Sequence, residues 1–306
     1  MKAARKAFTE TLLELARQDR RIFALATDSR GSVTLNDFVR ELPEQFVECG
    51  IAEQDAVGIA AGLSRTGLMP FVCGPASFYA TRAAEQIKVD VGYCHTNVKI
   101  IGVSGGVSYG ALGGTHHAVQ DIALMRAIPN LQVLMPSDAN QAAAMTRALV
   151  RSEAPAYVRM GRGDVPDVYP ENPPFEIGKA NVLKEGDDLA IIACGEMVFP
   201  ALKAAEILAK KGIAARVIDM ATIKPLDTQA ILEAAKTGAI LCVEEHSVCG
   251  GLGSAVAEVV VQNAPVKMRL LGLPDETLYS GTNHEVFEHY GLTPEGIAKA
   301  SEALIR

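Results

Sequence analysis

Short apolar runs alternate with stretches of helical periodicity from one end of the chain to the other. Runs of four to six residues rich in Val, Ile and Phe predict strands, whereas apolar residues recurring every three or four positions predict helices. In the first half the strand runs are 22–27, 46–49, 70–73, 98–103, 131–135 and 156–160, separated by helical stretches such as 51–64, 77–91 and 139–150. Alternation of this kind predicts a parallel sheet covered by helices on both faces, because each parallel crossover needs a returning helix. Six such strands make one doubly wound domain over residues 1–162.

Between Gly161 and Pro174 the pattern breaks: two glycines, four prolines and no apolar periodicity predict an exposed linker, bounded at 163–177. Alternation then resumes. Runs at 189–193, 215–218, 240–243 and 266–271 predict strands, and 201–211, 228–235, 254–263 and 294–305 predict helices. Residues 178–306 therefore form a second, smaller α/β domain of about 130 residues, an ordinary domain size.

A chain of 306 residues can bury two cores without disulfides or structural metals. Its 29 basic and 36 acidic side chains are interspersed, giving a net charge of −7 and no basic footprint for nucleic acid. The basic start lacks an apolar segment behind it, and no apolar run approaches the ~18 residues of a membrane span. These features predict a soluble, cytoplasmic protein. Cysteines 49, 73, 94, 194, 242 and 249 form no C-x-x-C pair, which predicts reduced cysteines packed in the core.

Several chemical motifs fail on spacing. Neither G-x-G-x-x-G nor G-x-x-x-x-G-K-[ST] occurs, so nicotinamide and nucleoside triphosphate sites have no support. His284 and His289 stand five apart, roughly 140° around a helix, and cannot share a metal from one face. Gly102-Val103-Ser104-Gly105-Gly106-Val107-Ser108-Tyr109-Gly110 matches G-x-S-x-G twice and raises a serine hydrolase elbow. An elbow needs a helix directly after its serine, but the next helical pattern begins only near Asp121, so a ligand-lining loop is the expectation. His116 and His117 end that loop beyond a strand's carboxyl end, where α/β folds place ligands.

The run Glu48-Cys49-Gly50-Ile51-Ala52-Glu53-Gln54-Asp55-Ala56-Val57-Gly58-Ile59-Ala60-Ala61-Gly62-Leu63 resembles the pyrimidine-binding signature of transketolases, which use thiamine diphosphate. The likeness continues through Ala83-Ala84-Glu85-Gln86-Ile87, Gly113-Gly114-Thr115-His116, Asp121-Ile122-Ala123-Leu124-Met125-Arg126, Ile128-Pro129-Asn130 and Pro136-Ser137-Asp138. It reaches the second domain in Val243-Glu244-Glu245-His246-Ser247-Val248-Cys249-Gly250-Gly251-Leu252-Gly253-Ser254-Ala255. The resemblance implies that Glu53 is the catalytic glutamate, whose carboxyl group hydrogen-bonds the pyrimidine ring and favours the tautomer that activates the cofactor. A glutamate in a first helical turn is also favoured by the helix dipole alone, by ~0.3–1 kcal/mol. By the same resemblance Phe78, with Tyr79 beside it, stacks on the aminopyrimidine, Asp28 lies at the cofactor and His116 lies near the reacting carbon. Arg5, Ser32 and Arg162 match the positions that bind the substrate's phosphate, and two arginines with a hydroxyl suit a phosphate dianion.

Departures from the family pattern carry information too. Ser104 replaces a histidine that touches the sugar, Leu112 replaces an aspartate that reads a sugar hydroxyl, and Pro75 and Thr81 replace aromatics of the pyrimidine clamp. A site that loses hydroxyl-reading groups implies a different acceptor or a branched, deoxy or otherwise modified sugar. The family's G-D-G motif and its downstream asparagine, which hold the magnesium of the diphosphate, are missing: Gly163-Asp164 is followed by Val165 and Gly186-Asp187 by Asp188. The resemblance thus implies one subunit of a split transketolase, with no metal ligands of its own and a diphosphate-binding partner of similar size, two copies of each forming a heterotetramer. The β subunit of a 2-oxo-acid dehydrogenase and a 1-deoxyxylulose-phosphate synthase share parts of the pattern. The Ile51-Ala52-Glu53-Gln54 context and the Gly-Gly-Thr-His loop favour transketolase over the first, and the second is normally a single longer chain. Outside that class stand the serine hydrolase and a non-catalytic scaffold; the latter has no evident need for Glu53.

Overall fold

In a computed structural model describing every residue, Met1–Arg306, the six apolar runs of the first half form one sheet. Its order is Gln132–Leu134, Ala156–Arg159, Lys99–Val103, Met69–Pro75, Ile22–Ala26, Phe46–Glu48, every neighbour parallel. Both faces are covered, so the central strands are apolar on both faces rather than alternating, save the buried Lys99 and Arg159 at strand ends. Ile100 packs into one core with Leu25, Val72 and the helix Glu53–Arg65, while its neighbour Ile101 packs into the opposite core with Phe71 and the helices Ala4–Ala16 and Ala139–Arg151. Strand pleating sends successive side chains to opposite faces, which is how one apolar run serves two cores.

A seventh strand departs from the expectation. Thr222–Lys224, contributed by the second half, adds antiparallel to Gln132–Leu134 at the sheet edge. The second sheet runs Lys267–Leu273, Ala239–Ser247, Leu189–Ala193, Ala215–Asp219, Asn181–Lys184; the first four strands are parallel, and the last is an antiparallel edge not marked by an apolar run. Its core packs Leu189, Ile191, Val217 and Leu241 against the helices Val198–Ala209 and Pro294–Ile305. The helical stretch expected over 77–91 is broken into Ala76–Arg82, Ala84–Gln86 and a wider π-type turn, Ile87–Tyr93. Cys73, Cys194 and Cys242 are core residues as expected, but Cys249 is exposed.

The segment expected as an exposed linker is tied down at several points. Asp164–Val165 pairs antiparallel with Lys2–Ala3. The carboxyl of Asp138, which caps the helix Ala139–Arg151 through the Gln141 N–H, also accepts the N–H groups of Val168 and Tyr169 at 2.7 and 2.8 Å. The Tyr169 hydroxyl donates to Asp219 at 2.6 Å, closing the strap onto the second half.

Between the two halves lies a buried polar cluster. Arg159 donates to the Glu245 carbonyl at 2.6 Å and pairs with the carboxyls of Glu245 at 3.4 Å and Asp121 at 3.7 Å. The Tyr157 hydroxyl donates to Asp121 at 2.6 Å, and the Val107 N–H donates to Glu245 at 2.7 Å. These hydrogen bonds offset part of the cost of withdrawing a guanidinium and two carboxyls from water. Burial pushes the Glu245 carboxyl up to about 8; Arg159 opposes the shift, and neighbouring Glu196 and Asp121 add to it.

Two outcomes follow from this junction. Because the folded Glu245 keeps a proton that an unfolded glutamate loses above its ordinary 4.5, the contribution of Glu245 to stability declines as pH rises from there to about 8 and then levels off. Glu245→Gln, neutral throughout, flattens that decline, and melting curves at pH 6 and pH 9 should show the variant gaining on the unmodified chain at the higher pH. Gly106 has φ +60, and a β-carbon there would lie 2.1 Å from the Glu245 carboxyl carbon. Gly106→Ala therefore lowers stability by roughly 2 kcal/mol or more in denaturant titrations, by backbone strain and overpacking together.

Candidate active site

Strands Ile22–Ala26, Phe46–Glu48 and Met69–Pro75 all end at one rim of the first sheet, the edge where parallel sheets open a crevice. There a cavity of about 320 Å³ is lined by Asp28, Ser32, Glu53, Phe78, Leu112 and His116, all of them residues that the sequence singles out. Thr27, Ser29, Ile51, Pro75, Arg82 and Tyr109 complete its wall. A larger cavity of about 770 Å³ opens at the opposite ends of the strands, around Arg21, Arg65, His95 and Arg151, and no expected site residue lines it.

Glu53 opens the helix Glu53–Arg65 and is 3% exposed. A helix N-terminus favours a carboxylate, but a buried one needs a partner. Arg82 provides it, donating through Nη1 to Glu53 Oε1 at 3.0 Å. The same guanidinium lies 4.0 Å above the Phe78 ring. Phe78 and Arg82 stand four residues apart on the helix Ala76–Arg82, the spacing that brings side chains together on one face. The Glu48 carboxylate accepts the N–H groups of Asp28 and Gly50 at 2.8 and 3.2 Å, tying the two loops that carry Asp28 and Glu53.

The loop after Lys99–Val103 forms the opposite wall. His116 follows the short 3₁₀ turn Gly110–Thr115 and meets the rings of Phe78 and Tyr109 edge-on, at centroid distances of 5.4 and 5.6 Å. Leu112, 54% exposed, stands at the mouth. His117 does not join His116: it is buried, and its Nε2 is taken by the Gly110 carbonyl at 3.1 Å, so it anchors the loop.

Arg5, Ser32 and Arg162 do come together. Arg5 donates to the Arg162 carbonyl at 3.0 Å and to the Ser32 carbonyl. Arg162 donates to the Tyr109 hydroxyl at 2.6 Å while lying over its ring at 4.8 Å. Burial and the neighbouring Arg162 hold the Arg5 guanidinium below its usual value, the sign of two cations gathered at one place.

Two expectations are corrected. Tyr79 is fully buried behind the pocket, its hydroxyl on Thr27 at 3.3 Å, so of these two adjacent aromatics only Phe78 reaches the cavity. Ser104 is buried beneath the loop at φ 57 and does not line the cavity. No helix follows it before the short turn at Gly110, so neither G-x-S-x-G match builds a nucleophile elbow. Arg82 and Tyr109 carry no such signal in the sequence. A lone arginine near a helix end reads as solvated, and only its placement on Glu53 and Phe78 marks it.

Residues 1–167 match the family described as transketolase, pyrimidine binding domain, and residues 178–297 match transketolase, C-terminal domain. The chain is 57% identical to one subunit of the apulose-4-phosphate transketolase of Phocaeicola vulgatus, over 100% of this chain and 98% of that protein. It is 38% identical to a 6-deoxy-6-sulfo-D-fructose transketolase subunit of Clostridium sp., over 97% of this chain and 92% of that one. Its fold is similar to that of a split gene transketolase solved as an inactive beta4 tetramer, with TM-score 0.93, 41% identity and coverage of 100% and 99% of the two chains.

Proposed function

The chain belongs to the transketolase family, and we propose that it is the pyrimidine-binding subunit of a two-subunit enzyme transferring a two-carbon ketol unit between sugar phosphates. The observation that carries the reading is the Glu53 carboxyl, buried at the end of a pocket whose wall is the Phe78 ring. The pocket fits the pyrimidine half of thiamine diphosphate: a flat aromatic face, a buried carboxyl beside it, and Ser29 Oγ buried without a hydrogen-bond partner. When bound, the cofactor supplies a nucleophilic thiazolium carbon that cleaves and carries the ketol unit.

The chain's own residues divide the remaining work. Glu53 holds a proton against the pyrimidine ring nitrogen, and Phe78 fixes the plane of that ring. Asp28 lies beside the cofactor across the pocket from His116, which stands at the mouth to bond substrate oxygens. Arg5, Ser32 and Arg162, braced by Tyr109, bind the substrate's phosphate. Leu112 gives the mouth an apolar wall, and Ser104 is withdrawn below the loop, which supports a branched, deoxy or otherwise modified sugar. That a relative 57% identical is named for apulose 4-phosphate supports a phosphate-bearing substrate. Magnesium and the diphosphate belong to a partner subunit carrying G-D-G and a downstream asparagine, with two copies of each chain in the working assembly.

In the enzyme assembled with that partner, Glu53→Gln abolishes turnover while gel filtration shows the assembly intact; an active variant removes Glu53 from the mechanism. Arg162→Ala raises KM for a phosphorylated acceptor by roughly 10- to 100-fold, the range for a charge-assisted hydrogen bond, and leaves that for the dephosphorylated sugar unchanged.

A further inference from the structure

Arg82 touches both surfaces that a bound pyrimidine would need. Its guanidinium is planar, lies 4.0 Å over the Phe78 ring and donates to Glu53 Oε1 at 3.0 Å. Its side chain is 43% exposed, against 4% for that of Glu53, and Glu53 is its one hydrogen-bond and ion-pair partner. Apart from the Phe78 ring face, no other hydrogen bond or ion pair holds it in place. An arginine on one side of the pocket could have pointed to water; here its guanidinium sits over the Phe78 ring and against the Glu53 carboxyl, both of which line the pocket.

We propose that Arg82 is a built-in occupant of the pyrimidine seat, displaced when thiamine diphosphate enters, and that it sets the cofactor's affinity. This rests on the function proposed above. Two flat groups cannot stack on the same ring face and bond the same carboxyl oxygen at once. They also place opposite demands on that oxygen. A guanidinium is a donor only, so the oxygen it meets accepts; an unprotonated pyrimidine ring nitrogen is an acceptor only, so the same carboxyl must carry a proton to hold it. Exchange of occupants thus swings Arg82 outward into solvent and brings one proton from water onto Glu53. Until the exchange occurs, the buried carboxyl is never without a partner, which keeps a half-built site stable in the separate chain.

The test is the affinity of thiamine diphosphate with magnesium for the assembled two-subunit enzyme, read by titration calorimetry. Arg82→Met removes the competitor and should tighten binding by roughly threefold to tenfold, the range for one lost hydrogen-bonded contact. In a Glu53→Gln background the same replacement should change affinity less than about twofold, since the competitor acts through the carboxylate. Arg82→Lys, cationic but lacking the flat fork, should fall between, and it decides the question if the methionine variant does not fold. Weaker or unchanged binding, or tightening that persists without the Glu53 carboxylate, overturns the proposal. Failure of the unmodified enzyme to bind the cofactor at all would instead sink the proposed function.

Discussion

A carboxyl group withdrawn from water must be met by a cation or by donors, and in the first domain that requirement falls on Glu53. The local structure answers it. Phe46–Glu48 ends in a turn through Gly50, whose φ of +66 suits glycine, and the helix Glu53–Arg65 then begins with the carboxyl directed inward. Glu48 ties this turn to the loop bearing Asp28. The helix beyond Met69–Pro75 presents Phe78 and Arg82 on one face, so the aromatic plane and the balancing cation reach the pocket from a single element. The catalytic role proposed for Glu53 thus uses the same burial that makes the group costly to hold.

The second domain acts on the pocket through the loop that forms its other wall. Gly106 and Ala118 bridge the two ends of that loop, the Val107 N–H is held by Glu245, and the Ser247 N–H donates to the Val119 carbonyl. Tyr109, Leu112 and His116 are therefore carried on a loop whose roots are fixed by the smaller domain. The buried cluster around Arg159 ties the two halves together, since its guanidinium meets Asp121 of the first half and Glu245 of the second. The strap through Tyr169 and the edge strand Thr222–Lys224 add two further ties between the halves.

Apolar runs make most of this architecture legible. Leu189–Ala193 and Thr228–Ala235 fall where periodicity puts them, because a fully buried strand and an amphipathic helix each leave their own spacing in the sequence. Thr222–Lys224 leaves no such trace: three residues pairing across domains carry no period. The strap is hidden for a related reason. Its anchors are single polar contacts to Asp138 and Asp219, and composition describes a chain segment rather than its partners. At the site, residues carried by a recognisable run, such as Glu53 and His116, are legible. Tyr79 is not, because two adjacent aromatics on a helix point in different directions, and only one can face the pocket.

The central claim is that this chain supplies half of an active site. Its most direct test is to recover the tagged chain from its own cell extract and identify, by mass spectrometry, what accompanies it. The account predicts a second chain of similar size bearing G-D-G and a downstream asparagine, with ketol transfer present only when both are combined. A chain recovered alone that still turns over sugar phosphates would contradict it.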